Sequence, residues 1–288
     1  MNLAETDRIK IAIPTKGRLR EPTIELLQKA GYSFRTVNRN LYATCTNADI
    51  VFIFVRSEDI PVLVDSGVVD MGITGSDLVR ERNADVAEIM KLGYGRCRLC
   101  IAVHDSFPDA DIPVFEGKTI ATSFPTLTEN FFREKGIKVR CLEMKGSVEI
   151  MIGLSLAHGI VDIVETGDSL RDNNLRVFHE IGRYETVLIA NKKIADKSII
   201  HQIRRRIEGI IVASQYSMLE YNIRETILKD AEKITPGFEA PTVARLDEEG
   251  WMAVKVMVRK NEVVNVMDSL EKLGATAIIE TEVKNCRL

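Results

Sequence analysis

The sequence predicts an α/β chain: two α/β lobes, then a small βαββαβ domain. Three observations predict it. Apolar strand-like runs alternate with amphipathic helical segments from the N-terminus onward. The alternation restarts near residue 95. Beyond about residue 215 it changes to four strands with two helices among them. A length of 288 residues leaves room for two or three domains.

Taken in order, IKIAIP is a first strand. LREPTIELLQKAG is a helix, because Leu19, Ile24, Leu27 and Ala30 share one face and Gly31 is a stop. DIVFIFV is a buried strand, and SEDIPVLVDSG a short helix with Ser57 as its expected cap. VDMGIT is a strand, and GSDLVRER opens a helix. This β-α-β cadence implies a mostly parallel sheet with ligands at the carboxyl ends of its strands.

In the second lobe RCRLCIAVH and KTIATS are strands, and PTLTENFFREKG is a helix with Pro125 in its first turn. IKVRCLE is a strand, SVEIMIGLSLAHG a helix, and VDIVET a strand. YETVLIAN is another strand. In the helix DKSIIHQIRRRIEGIIVAS, Ile200, Ile203, Ile207 and Ile211 form one stripe, and Arg204, Arg205 and Arg206 a solvated face. YSMLEYNI, PTVARL, GWMAVKVMVR and TAIIETEV are strands; RETILKDAEKI and NEVVNVMDSLEKLGA are helices. This is a ferredoxin-like unit of about 70 residues with its own core. The expected domains are 1–94 with 183–215, then 95–182, then 216–288.

The formal charge of −3 gives no global basic field, so neither nucleic acid nor an anionic membrane is expected as a partner. The N-terminus lacks the pattern of a secretory signal, and no run reaches the roughly 18 apolar residues that span a bilayer. Five cysteines, an odd number, point to reduced thiols and a cytoplasmic setting. Cys97 and Cys100 form a CxxC inside a strand, which favours buried thiols over a metal. His104, His158, His179 and His201 show no metal spacing.

The stretch VETGDSL carries the sharpest chemistry. Gly167 permits positive φ, and Asp168 and Ser169 stand where a helix N-terminus presents free amides. Such amides bind phosphate oxygens. The carboxylates of Asp162, Glu165 and Asp168 then need another partner: a ribose diol, whose hydroxyls donate, or a divalent cation. A phosphorylated ribose satisfies both halves. The alternative is a capped helix after an edge strand. Elsewhere, Lys16 and Arg18 are either ordinary loop cations or phosphate ligands. Gly72, Gly75 and Asp77 form a strand–turn–helix that either is merely capped or lies at a cleft. Phe124 is either core or a stacking ring at a strand's end.

VEIMIGLSLAHGIVDIVETGDSL resembles the signature region of the ATP phosphoribosyltransferase family. Glu149, Ala157, Ile160, Asp162, Thr166, Gly167 and Leu170 fit that pattern; Ser155 replaces a usual glycine and Ser169 a usual threonine. IPTKGRL, VRSEDIPVLVDSGVVDMGITGSDLV, PGFEAPTV and EEGWMAVKVMV are similar to further family segments in the same order, the last two to the C-terminal regulatory domain of its long form. The resemblance implies a two-lobed core like that of periplasmic binding proteins, an inter-lobe cleft and a homo-oligomer, dimer to hexamer. It implies that N1 of ATP is joined to C1 of phosphoribosyl pyrophosphate, with pyrophosphate released, as the first step of histidine biosynthesis.

On these residues the resemblance implies definite roles. Asp162 and Glu165 hold the ribose hydroxyls, favour an oxocarbenium-like centre and ligate Mg²⁺. Arg56, Thr166, Gly167, Asp168, Ser169 and Leu170 complete the phosphoribosyl pyrophosphate site, with the fork of Arg56 on the pyrophosphate. Lys16, Gly17, Arg18, Gly75, Asp77 and Phe124 bind ATP. No residue stands out as a general base, since adenine N1 already carries a lone pair. The C-terminal domain alone reads as a dimerisation module; the resemblance adds feedback binding of histidine at Thr242, Gly274 and Ala275. A small-ligand binding module and a catalytically silent subunit are the competing classes.

Overall fold

A computed structural model of the chain describes residues 6–35 and 40–287; the expected domain limits at 1 and 288 lie outside them. The first lobe runs β1 (Ile9–Pro14), α1 (Arg20–Lys29), β2 (Tyr42–Thr44), β3 (Ile50–Val55), α2 (Ile60–Asp65), β4 (Met71–Gly75), α3 (Ser76–Glu81) and β5 (Val86–Lys91). The second lobe runs β6 (Cys97–His104), β7 (Thr119–Thr122), α4 (Pro125–Glu134), β8 (Arg140–Glu143), α5 (Ile150–Gly153), β9 (Gly159–Val164), α6 (Asp168–Asp172) and β10 (Leu175–Tyr184). The chain then returns to the first sheet as β11 (Thr186–Asn191) and continues into α7 (Ser198–Gln215).

The first sheet has the order β2-β3-β1-β4-β11-β5 and the second β10-β6-β9-β7-β8. Central strands of the first sheet are apolar along their length and covered on both faces: Ile11, Ala12, Ile13, Val51, Phe52, Met71, Ile73, Leu188 and Ile189 are fully buried. The expectation of a mostly parallel sheet needs correction. Only the β3–β1 and β1–β4 pairings are parallel; β2 pairs with β3, and β11 with both β4 and β5, antiparallel. The cause is the entry point of β11. It arrives from the second lobe beside the end of β4, with Thr186 opposite Gly75, and so runs backward. The second sheet is mixed too: β7, β8 and β9 are parallel, whereas β6 and β10 are antiparallel. Two lobes joined by two crossings, at 92–96 and around residue 185, make the periplasmic-binding-protein-like core.

Three local expectations differ from the structure. Asp59, not Ser57, is the N-cap of α2, and the Ser57 carbonyl accepts instead from Thr74 Oγ1 at 2.8 Å. SVEIMIGLSLAHG does not form one helix: α5 spans four residues, and Ser155 at φ 56° turns the chain back so that Leu156 N–H donates to Met151 C=O. A glycine adopts that conformation without strain, so the glycine that the resemblance implies at Ser155 suits this turn. In α7 the buried stripe is Ile200, Ile203, Ile207 and Ile210, with Ile211 only half-buried.

The chain divides into two compact units, Met1–Glu25 with Ser33–Ile200, and Leu26–Tyr32 with His201–Leu288. The second unit therefore takes most of α7, rather than beginning at 216. It contains β12 (Tyr216–Arg224), α8 (Leu228–Ile234), β13 (Thr242–Arg245), β14 (Trp251–Arg259), α9 (Val263–Leu273) and β15 (Thr276–Glu282). Its sheet has the antiparallel order β13-β14-β12-β15, the ferredoxin-like arrangement. Strict alternation along β12 and β14 puts Leu219, Tyr221, Ile223, Val254, Val256 and Val258 on one face, in a core with Ala231 and Leu270 from the helices. Among the described residues no helix is long and apolar enough to cross a membrane.

The last described residues lie back on α7. Cys286 N–H donates to Gly209 C=O at 3.3 Å, and a Cβ at Gly209 would stand 2.2 Å from Cys286 O. Gly209→Ala should therefore lift this segment. Cys45, Cys97 and Cys100 are buried, and burial pushes the Cys141 thiol up to about 11, so the variant should show faster modification of one thiol, Cys286, by a disulfide reagent. Unchanged thiol kinetics would refute the docking.

Candidate functional site

The parallel strands β1, β3 and β4 all end on the side of the first lobe that faces the second. Their following turns supply Lys16, Gly17 and Arg18 after β1, Arg56 after β3, and Gly75 and Asp77 after β4. From the other lobe come Phe124, beyond β7, and Ile163 on β9. These residues line one inter-lobe cavity of about 290 Å³. Every residue expected to bind ATP is in it, together with Arg56, which was expected on the other substrate. Arg56 is exposed, and its pair with Glu58, at 3.8 Å from Nη1 to Oε1, is long and solvated enough for an anion to replace.

Asp77 is the acid of this cavity. It is 2% exposed, and among the described residues its Oδ1 has no hydrogen-bond partner. Burial pushes its carboxyl up, against the pull of its own and Leu78's amides and the charge of Arg18. The carboxyl folds back over Gly75, where a Cβ would lie 2.0 Å from Oδ1. A buried acceptor left open in a cleft is a place for a ligand hydroxyl or amino group. Phe124 is 6% exposed and belongs both to the second-lobe core and to the cavity wall.

The loop after β9 has the predicted geometry. Gly167 is the N-cap of α6 at φ 83°, and the first intrahelical bond is Arg171 N–H to Gly167 C=O. The amides of 168–170 therefore precede the helical ladder, and that of Asp168 reaches Thr166 Oγ1 only at 3.5 Å. The side chains have separate partners. Thr166 Oγ1 and Arg171 both donate to Asp168, which lowers the Asp168 carboxyl. Ser169 Oγ donates to Glu149. Leu170 is buried in the core, so it can offer a ligand only its backbone. Thr166, Gly167 and Leu170 line a second cavity of about 430 Å³ with Arg98, Arg171 and Arg176.

Asp162 and Glu165 diverge. The Glu165 carboxylate accepts from Arg18, tying the loop to the first lobe. Asp162 lies on the same face of β9 as Ile160 and Val164, and its Oδ1 accepts from Ile163 N–H at 2.8 Å. Burial, and in smaller part the charge of Glu149, push Asp162 up to about 6 against the Ile163 amide. An acid held back from ionising beside another acid is relieved by a cation, so its chemistry fits Mg²⁺. Among the described residues no group of three or more His, Cys, Asp or Glu is arranged to hold a metal by itself. A Mg²⁺ ion commonly takes one or two carboxylates and completes its shell with water and substrate phosphates.

Other expectations are redistributed. Cys97 and Cys100 point to opposite faces of β6, into different core clusters, so they cannot chelate one ion. His104 bonds Ser106, His158 accepts from Thr119 N–H, and His179 lies against the ring of Phe131. The residues expected to bind histidine are not brought together within one chain. Thr242, Lys255, Glu220 and Ile279 form one row across the C-terminal sheet, so β13 and β15 are its opposite edges, about 14 Å apart. Gly274, at φ 103° after α9, and buried Ala275 lead into the far edge.

Two residues without an assigned role prove central. Glu149 holds Ser169 and acts on Asp162, and it was visible as the acid that opens the signature stretch. Glu81 accepts from the amides of Thr126 and Leu127, 45 and 46 positions away, and no sequence signal joins them.

Residues 56–209 match the family model described as HisG, ATP phosphoribosyltransferase, and residues 213–285 match that of the HisG C-terminal domain. The chain is 48% identical to the ATP phosphoribosyltransferase of Rhodopirellula baltica, over 97% of this chain and 94% of that protein. It is 40% identical to that of Corynebacterium diphtheriae, over 97% of this chain and 100% of that protein. Among solved structures it is similar to a chain of the HisG:HisZ ATP phosphoribosyl transferase complex of Thermotoga maritima. There the TM-score is 0.63 and the identity 29%, covering 72% of this chain and 98% of that chain. Arginine-bound Tv2483 (TM-score 0.51, 14% identity, 78% of this chain and 89% of that chain) shares the fold alone.

The raised Asp162 carboxyl has a measurable sign. Its folded value of about 6 exceeds the ordinary 3.8, so the folded state holds the proton more tightly. Folding thus loses stability as pH rises from about 4 to 6, by at most about 3 kcal/mol. Without added divalent cation, Asp162→Asn should gain more in melting temperature over wild type at pH 8 than at pH 4. Equal gains at both would contradict the burial of an ionised Asp162.

Proposed function

The chain belongs to the ATP phosphoribosyltransferase family, the enzymes of the first step of histidine biosynthesis, and in its long form; from that premise we propose that it joins N1 of ATP to C1 of phosphoribosyl pyrophosphate and releases pyrophosphate. One observation carries this assignment: Lys16, Arg18, Arg56, Asp77 and Phe124 converge on one cavity, and Arg18 ties that cavity to the loop of Glu165.

Displacement at the anomeric carbon builds positive charge on the ribose and negative charge on the departing pyrophosphate. Catalysis is then chiefly positioning and electrostatics. The amides of 168–170 receive the sugar phosphate, while Asp162 and Glu165 accept from the ribose hydroxyls and stabilise the cationic carbon. Arg56 receives the leaving pyrophosphate. Lys16 and Arg18 balance the remaining phosphates, with Phe124 against the adenine and Asp77 accepting from the nucleotide. Adenine N1 attacks with its own lone pair, and no side chain need remove a proton first. Asp162 and Glu165 point apart, so each would hold Mg²⁺ as a single carboxylate, with substrate phosphates and water completing the shell, and the ion would neutralise charge on the leaving group.

The Arg18–Glu165 pair occupies groups the substrates need. Its side chains are 34% and 49% exposed, and a pair so solvated is worth about 1 kcal/mol or less. A substrate offering phosphate to Arg18 and a diol to Glu165 replaces it at little cost.

The C-terminal domain is assigned feedback binding of histidine. Since Thr242 and Gly274–Ala275 occupy opposite sheet edges, a site using both segments takes them from two copies of the chain. This agrees with a homo-oligomer of two to six copies.

Turnover is read from the ultraviolet change of N1-substituted adenine on mixing ATP, phosphoribosyl pyrophosphate and Mg²⁺. Glu165→Ala should lower kcat about 100-fold. Arg204→Ala, at an exposed helix position, should stay within about twofold. Equal effects of the two would undo the site assignment. Thr242→Glu, at an exposed edge position, should weaken histidine inhibition about tenfold or more with the uninhibited rate preserved. Full inhibition of that variant would place the sensor elsewhere.

A further inference from the structure

The backbone donors that open α4 are fully matched, and two of the matches come from the other lobe. Phe124 N–H donates to Thr122 Oγ1 at 2.9 Å. Pro125 has no N–H to satisfy. Thr126 N–H donates to Glu81 Oε1 at 2.9 Å, and Leu127 N–H to Glu81 Oε2 at 3.0 Å. Thr128 N–H returns to Phe124 C=O at 3.0 Å. The N-cap residue itself, Phe124, has no side chain able to accept, so the cap is supplied from outside the helix.

Glu81 is the last residue of α3, the first-lobe helix whose start carries Asp77. One short rigid element thus holds the cavity's buried acid at one end and the cap for the opposite lobe at the other. Phe124 sits directly before the capped turn. Its carbonyl also accepts from Thr128 Oγ1 at 2.7 Å, and Thr122 Oγ1 donates to Val161 C=O at 2.8 Å, on β9. Four hydrogen bonds around Phe124 therefore fix its backbone to the second sheet, and Glu81 fixes that assembly to the first lobe. A carboxylate over two amides at the positive end of a helix is a charge-assisted pair of bonds, stronger than a neutral cap.

We propose that Glu81 is a positioning residue for the nucleotide: it joins α3 to α4 across the two lobes and so sets the separation of the Phe124 ring from Asp77. The proposal rests on the assignment of Phe124 and Asp77 to ATP. It predicts a selective effect, because the side chains of Glu165, Asp168 and Ser169 are held by Arg18, Arg171 and Glu149 and not by the capped turn.

The test uses the full-length protein with Glu81→Ala and the isosteric Glu81→Gln. Amide exchange of the segment around Thr126 and Leu127 is followed alongside ATP affinity by calorimetry and steady-state rates. In Glu81→Ala those two amides should exchange at least about tenfold faster. Affinity and KM for ATP should weaken about tenfold, while KM for phosphoribosyl pyrophosphate and kcat stay within about twofold. Glu81→Gln, which keeps one acceptor, should fall between. Formate should restore part of the ATP affinity of Glu81→Ala, and chloride at equal ionic strength should not.

Equal weakening toward both substrates would overturn the proposal, as would faster amide exchange with ATP affinity unchanged. Unchanged amide exchange in both variants would also overturn it. A wild-type protein that binds ATP without transferring a phosphoribosyl group would overturn the proposed reaction alone, since ATP affinity would still decide the role of Glu81.

Discussion

The nucleotide side of the cleft depends on two carboxylate ties that cross from one lobe to the other. Glu165 of the second lobe reaches Arg18 of the first, and Glu81 of the first reaches the start of α4 in the second. They differ in kind. The Arg18 tie is solvated and joins groups a substrate can claim; the Glu81 tie is built into backbone donors that nothing else satisfies. One is replaceable and the other structural. Between them lie the cations, the buried Asp77 and the Phe124 ring.

The same chemistry, a carboxylate, serves several ends within a few residues of loop. Asp168 is spent locally, on Thr166 and Arg171, and keeps the turn in shape. Glu165 faces outward to Arg18. Asp162 is drawn back toward the core and resists ionisation. Strand alternation accounts for part of this, since Asp162 shares a face with Ile160 and Val164. The positive φ of Gly167 accounts for the rest, because it reverses the chain and separates the acids before the turn from the one after it.

What was legible in the sequence was what neighbours in sequence decide. The apolar runs of β1, β3 and β9, the glycine of the turn before α6, and the chain order of the six strands and helices of the C-terminal domain all follow from local pattern. Of the candidate site, the turns carrying Lys16, Arg18, Arg56 and Asp77 were legible because they end strands. Non-local constraints were not. The direction of β11 depends on where the chain leaves the second lobe, and the length of α5 on a single serine in a left-handed conformation. The caps of α4 come from Glu81, far upstream, and the opposite edges taken by Thr242 and Gly274 appear only once the sheet order is known.

The route of β11 also dictates an order of assembly. Strands of the second sheet all come from one uninterrupted stretch, 97–184, and can pair as soon as that stretch exists. The first sheet cannot finish so early. Among the described residues β5 pairs with β11 alone, and β4 needs β11 on its open side, so both wait for residues 186–191 to be made. On a ribosome the open side of β4 therefore stays unpaired while residues 76–185 are made, and an unpaired strand edge of that kind is where wrong association starts.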